Sequence, residues 1–223
     1  PPFGLLGAVD PENNAPRVQQ WNVTVERQLG TNWGASASYL GSYSDRLLGR
    51  VDQNPGVYLG TGPCTLNGVT YPVCTVPANL NNRRALSVEN PREGQYIGPL
   101  ELFDDVTTTD YRGLRLSFQR RASGGVSLNG NWTWGRCLGG LLARGGGGGG
   151  DNGAGGPYQN PADLDYDRGH CDWDHAHLGN FTVGYLSPQF TGAALRALAS
   201  NWQLSGIVSA RSGDWLSVTT GVT

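Results

Sequence analysis

Apolar and polar residues alternate almost without a slip along Arg17–Leu29 and again along Trp33–Leu40, with only Gly30-Thr31-Asn32 between them. Trp21, Val23, Val25 and Leu29 share one face of the first segment, and Asn22, Thr24, Glu26 and Gln28 the other. In the second, Trp33, Ala35, Ala37 and Tyr39 oppose Gly34, Ser36 and Ser38. A period of two over such lengths predicts strands with one apolar and one wetted face. The pattern returns in Tyr111–Arg121 and Val126–Trp134, joined through Ala122-Ser123-Gly124-Gly125. There Leu114, Leu116 and Phe118 oppose Arg115, Ser117 and Gln119, while Leu128, Trp132 and Trp134 oppose Asn129, Asn131 and Thr133. A fifth strand carries Phe181, Val183 and Tyr185 on its apolar face, and a sixth carries Trp202, Leu204, Val208 and Ala210. A seventh is expected to begin near Trp215.

The connections are lopsided. Those after strands one, three and five are short or moderate, the last with one or two helical turns in Phe190–Ala199. Those after strands two and four, residues 49–110 and 137–176, are long, the first broken by Asn54-Pro55, Gly62-Pro63 and Asn90-Pro91. Residues 1–16 read as an irregular lead-in, and 17–223 as one partial barrel segment. Antiparallel up-and-down strands with short turns at one end and long loops at the other predict an all-β fold, the wall of a transmembrane β-barrel.

Composition narrows the picture further. No apolar run approaches the ~20 residues of a membrane helix, and no charged n-region with an apolar run marks an export signal. The chain has no methionine, so Pro1 is expected to be a processed end or the edge of a fragment. All 16 basic residues are Arg, and the formal charge of -2 argues against nucleic acid as a partner. Six consecutive glycines, Gly145–Gly150, cannot bury enough side chain to order themselves and are expected to be mobile or to lie against a neighbour.

The four cysteines read best as two disulfides. Cys64 and Cys74 bracket a turn signal at Asn67-Gly68, and Cys137 and Cys171 stand at the two ends of the second long loop. This implies an oxidising compartment. Zinc lacks its close Cys pairs. The acidic stretch Asp163, Asp165, Asp167, Asp172 and Asp174, with His170, His175 and His177, offers weak calcium candidates, but without the glycine and terminal Glu of an EF-hand loop. A hydrogen-bonded structural loop is the blander and favoured reading.

No catalytic motif stands out: no Gly-x-Ser-x-Gly elbow, and no lysine to follow the polyglycine tract as a phosphate loop needs. No cofactor site is expected, and the chain reads as a non-enzyme. Trp21, Trp33, Tyr39, Trp132, Trp134 and Trp202 sit on apolar faces near strand ends, as membrane-interface aromatics would.

The succession Pro16-Arg17-Val18-Gln19-Gln20-Trp21 to Leu29, Ala37-Ser38-Tyr39-Leu40-Gly41-Ser42, Tyr111-Arg112-Gly113-Leu114, Asn131-Trp132-Thr133-Trp134-Gly135-Arg136, Asp167-Arg168-Gly169, Asp174-His175 and Trp202-Gln203-Leu204 resembles the late barrel strands of TonB-dependent outer-membrane receptors. The nearest variety is the Oar-like type of acidobacteria, with a carboxypeptidase-regulatory-like N-terminal domain. The likeness runs from about Pro16 onward. It implies a bacterial outer-membrane location, contact with outer-membrane lipid, and ligand binding or passage through the long loops. It also implies coupling to an inner-membrane energising complex through parts that this chain lacks. Such receptors close about twenty-two strands around a plug. Seven strands cannot close in that way, so the wall is expected to be completed by more of a longer chain or by other copies. Two readings stand beside it: a secreted, extracellular structural β protein assembling into a fibre or sheet, and a sugar-binding sandwich.

Overall fold

The computed structural model describes residues 2–140, 158 and 160–215. One antiparallel sheet dominates. Its long strands are β2 (Arg17–Leu29), β3 (Trp33–Asp52), β6 (Leu100–Ser123), β7 (Val126–Gly139), β9 (His177–Leu186) and β10 (Gln203–Arg211). They lie in the order β10-β9-β7-β6-β3-β2. Each pairs with its neighbour in sequence, as an up-and-down wall requires. Among the described residues the sheet does not close: β2 and β10 are its edges there, and every residue of both is exposed.

Backbone chemistry explains the short turns. Gly124 and Gly125 both take positive φ, which lets β6 turn into β7 within two residues, and Gly30 does the same between β2 and β3. β9 reaches β10 through residues 187–202, which include helix α3 (Ala193–Ala199). That helix falls inside the segment expected to turn helically.

The registers show that the sequence pattern captured only the lower part of the wall. β3 and β6 stay paired far past Leu40, through Gly49↔Asp104 to Asp52↔Glu101. Alternation fails there for two physical reasons. Register shifts between Ser44/Leu47 and Leu47/Gly49, with Arg46 at positive φ, reset the parity. The faces are also covered by loop rather than by an apolar medium, so Thr107 and Glu101 are buried as polar residues. The first long connection therefore spans residues 53–99, not 49–110.

The lead-in is not wholly irregular either. β1 (Leu6–Val9) pairs parallel with Leu100–Phe103 on the edge of β6 that β7 has already left. Its four residues are too few for a periodic signal. In the second long connection, β7 continues to Gly139, and the two-residue strand β8 (Gly169–His170) pairs with its end. The polyglycine tract and the start of the expected seventh strand beyond Trp215 lie outside the described residues.

Between β3 and β6 the loop carries the hairpin β4 (Cys64–Leu66) and β5 (Val69–Tyr71), a 3-10 turn over Pro77–Arg83, and helices α1 (Ala85–Glu89) and α2 (Pro91–Gly94). Asn67 and Gly68 form the β4–β5 turn with positive φ, as the dipeptide predicts.

Candidate functional site

The two faces of the wall differ in kind. Reading across the registers, one row of the outer face runs Val25, Ala37, Leu116, Trp132, Gly179, Ala210. The row on its short-turn side runs Arg27, Ala35, Phe118, Gly130, Phe181 and Val208, apolar but for the β2 arginine. From Trp21 to Leu29 the band is about 27 Å along the strand at ~3.4 Å per residue. With a barrel tilt of roughly 40° it rises about 20 Å, close to the apolar belt of an outer-membrane barrel. No described residue covers it: Val23 and Val25 are 64% and 67% exposed. The buried apolar residues of the described chain are Val51, Cys74, Cys137, Tyr158 and Cys171, none in the lower wall.

The interface aromatics expected from the sequence are all exposed, and they fall at two heights. Trp33 and Trp202 mark the short-turn end. Trp21, Tyr39 and Trp134 mark the far end, with Trp132 two residues inward of Trp134. Trp21 lies across the bare backbone of its partner Gly41, where a Cβ would sit 2.2 Å from the indole. Glycine is needed there so that the ring can lie flat along the wall.

The opposite face is polar. A shallow hollow of about 370 Å3 near the short-turn end is lined by Glu26, Gln28, Ser36, Arg115, Gln119 and Asn129, among others. Thr24 and Ser38 hydroxyls share a hydrogen bond of 2.9 Å across β2 and β3, and Ser209 and Asn180 one of 2.8 Å across β10 and β9. Such groups hold water or polar solutes and would be costly against lipid.

A family model for an outer membrane beta barrel domain matches residues 1–223. The chain belongs to this family. No curated protein and no solved structure matches it. Membership gives the two faces their meaning: in an outer-membrane barrel the apolar band meets lipid and the polar face lines the lumen. It also points to the bacterial outer membrane.

The loops of this barrel domain are built to hold shape at the long-loop end. Both disulfides are present: Cys64–Cys74 with Cα atoms 5.3 Å apart and Cys137–Cys171 at 5.4 Å. The 53–99 loop packs around polar groups rather than oil. Asn54, fully buried, donates from Nδ2 to the Gly98 carbonyl at 2.9 Å and accepts the Leu86 amide at 2.9 Å. Arg84 reaches Asp52 at 3.1 Å and donates to the Asn54 carbonyl at 2.6 Å. Arg83 donates to the Val57 carbonyl at 3.0 Å, and burial pushes its pKa down. Near the base, Arg50 and Glu101 form an ion pair at 3.1 Å. Sequence reading missed this network, because Asn and Arg in a loop give no periodic signal.

The second loop is tied down at Cys137–Cys171, against which Tyr111 packs. The Tyr111 ring also lies over Gly113 and Gly135, filling the place of two missing side chains. Among the acidic candidates, Asp174 is buried and 2.9 Å from His170 Nδ1, and Asp167 is buried. Among the described residues no three His, Cys, Asp or Glu converge as a metal site would need. Asp163, Asp165, Asp167, Asp172 and Asp174 are thus not gathered around one point. Asp165 and Asp167 belong to the 3-10 turn Leu164–Asp167.

Above the apolar band, beyond the membrane, Arg17 of β2 pairs with Asp45 of β3, donating from Nε at 3.1 Å. That contact lowers the Asp45 pKa. Asp105 is likewise lowered, by hydrogen bonds from Asn14, which ties the lead-in to β6.

Proposed function

We propose that this chain forms part of the wall of a TonB-dependent receptor-like transporter, binding a ligand at its long loops and passing it along the polar face. The observation that carries the reading is a conjunction. Loops held by two disulfides and buried Asn and Arg groups stand at one end, above a strand face lined with amides, hydroxyls and arginines. Loops meant only to connect strands have no need of such internal order. The two open edges, β2 and β10, accept further strands of the same wall. Coupling to an inner-membrane energising complex would run through parts beyond this chain. We assign no catalytic residue.

Uptake by cells carrying the full-length protein, with and without a working energising complex, tests this reading. A receptor of this kind loses uptake when the complex is inactivated; a passive pore keeps it. The open edges also fit a secreted β assembly. In that case the protein would stay folded and soluble without detergent.

A further inference from the structure

The outer face carries a feature that the apolar band does not explain. Arg112 of β6 and Arg136 of β7 are directly opposite partners, and both are exposed. Like charges placed opposite each other on one face repel and cost stability. Their row is the one that begins with Trp21 and Gly41, just above the row of Tyr39, Leu114 and Trp134. Both arginines thus stand on the long-loop rim of the apolar band, where aromatic anchors mark the headgroup level.

The pair is only half compensated. Asp110 lies 3.0 Å from Arg112 Nε, whereas among the described residues Arg136 has no carboxylate within ion-pair distance. Further toward the loops, Asp45 is engaged by Arg17.

Below the pair, the apolar face opens into a hollow of about 410 Å3 lined by Leu116, Phe118, Trp132, Gly179, Phe181 and Val208. Gly179 forms its floor: a Cβ there would meet nothing closer than 3.9 Å. Leu116 lies four residues along β6 from Arg112, about 14 Å at ~3.4 Å per residue. That distance separates a lipid headgroup from the middle of its acyl chain.

We propose that Arg112 and Arg136 bind the phosphate of an anionic lipid whose acyl chain lies in the hollow at Gly179. Two guanidinium groups match phosphate oxygens in charge and in planar, two-point geometry. An anion between them turns the repulsion of the pair into shared attraction. The inference rests on the apolar band being the lipid-contacting face.

The test uses the full-length protein in phosphatidylcholine vesicles with a minor share of phosphatidic acid, reading the lipids retained on purification by native mass spectrometry. The expected preference for phosphatidic acid falls roughly fivefold for each of Arg112→Gln and Arg136→Gln. Gly179→Leu, which fills the hollow and leaves the charge alone, lowers total lipid retained at this face. Unchanged retention in all three inserted variants overturns the proposal while leaving the barrel intact. Displacement of the retained lipid by millimolar inorganic phosphate would mark a site for free phosphate and also overturn it. A protein that remains folded in solution and enters no vesicle removes the lipid-facing wall itself.

Discussion

The hydroxyl of Tyr158 lies 2.7 Å from the Thr107 hydroxyl, with both side chains buried. Tyr158 thereby returns the second long loop to the top of β6. Its amide donates to the Arg50 carbonyl at 2.9 Å, and its ring stands beside Gly49 and Gly140, whose bare backbones make room for it. Tyr158 thus fastens the loop to β3, to β6 and to Gly140 just past the end of β7. Tyr158→Phe leaves the Thr107 hydroxyl without this partner and is expected to cost about 1–3 kcal/mol. Tyr158→Ala also empties the ring's site and is expected to cost about 3–5 kcal/mol. Hydrogen exchange at the amide of residue 158 checks both, rising more in the alanine variant; equal protection in all three proteins would contradict the pinning role.

Tyr111 acts in a similar way lower on the wall, over Gly113 and Gly135 and against Cys137–Cys171. A Cβ on Gly135 would stand 2.8 Å from the Tyr111 hydroxyl, so Gly135→Val must displace the ring. We expect a loss of about 1–3 kcal/mol. In a cycle with Tyr111→Leu, the two losses should sum to more than that of the double variant. Strict additivity would show that the ring and the glycine do not meet.

The two disulfides should contribute unequally. Chain entropy gives about 3 kcal/mol for a closed loop of the Cys64–Cys74 size and about 4 kcal/mol for that of Cys137–Cys171, whose separations are 10 and 34 residues. Peptide mapping without reductant is expected to recover both linked pairs, and Cys137→Ser with Cys171→Ser to lower the melting temperature more than the same change at Cys64 and Cys74. Free thiols at Cys64 and Cys74 in the native protein would contradict the pairing.

Acid should loosen the long-loop end before the membrane band. Asp45 is held below its ordinary value of 3.8, first by the hydrogen bond from Arg17, and Asp105 by those from Asn14. A lowered folded pKa means a contribution fully present above the unfolded value and lost as pH falls through the folded one. Amide exchange at the tops of β2 and β3, corrected for intrinsic rates, is therefore expected to be constant above pH 5 and to rise below about pH 4. Asp45→Asn should remove most of that dependence near Arg17. A rise on going from pH 5 to pH 8 would have the wrong sign.

How far the sequence carried depended on what each face touches. Where β2, β3, β6, β7, β9 and β10 have one apolar and one polar face, period-two alternation found the strands, though Trp202, read as part of the last one, stands just before Gln203–Arg211. Where the wall rises into the loops that contrast ends. Gly49, Thr107 and Glu101 are still paired strand residues, but both faces are covered by polar chain and the alternation that would reveal them is gone. The disulfides were legible because cysteine and Asn-Gly chemistry is local. The Asn54–Arg84 network and the Arg112–Arg136 opposition were not, since both depend on register between segments distant in sequence.

Val25 faces lipid while its neighbour Thr24 faces the lumen. Spin labels at Val25→Cys and Thr24→Cys of the full-length protein in bilayers test it through relaxation by dissolved oxygen against a water-soluble nickel complex. Preferential relaxation of the Val25 label by oxygen, and not of the Thr24 label, is the predicted result. Equal access of the nickel complex to Val25 and Thr24 would contradict it.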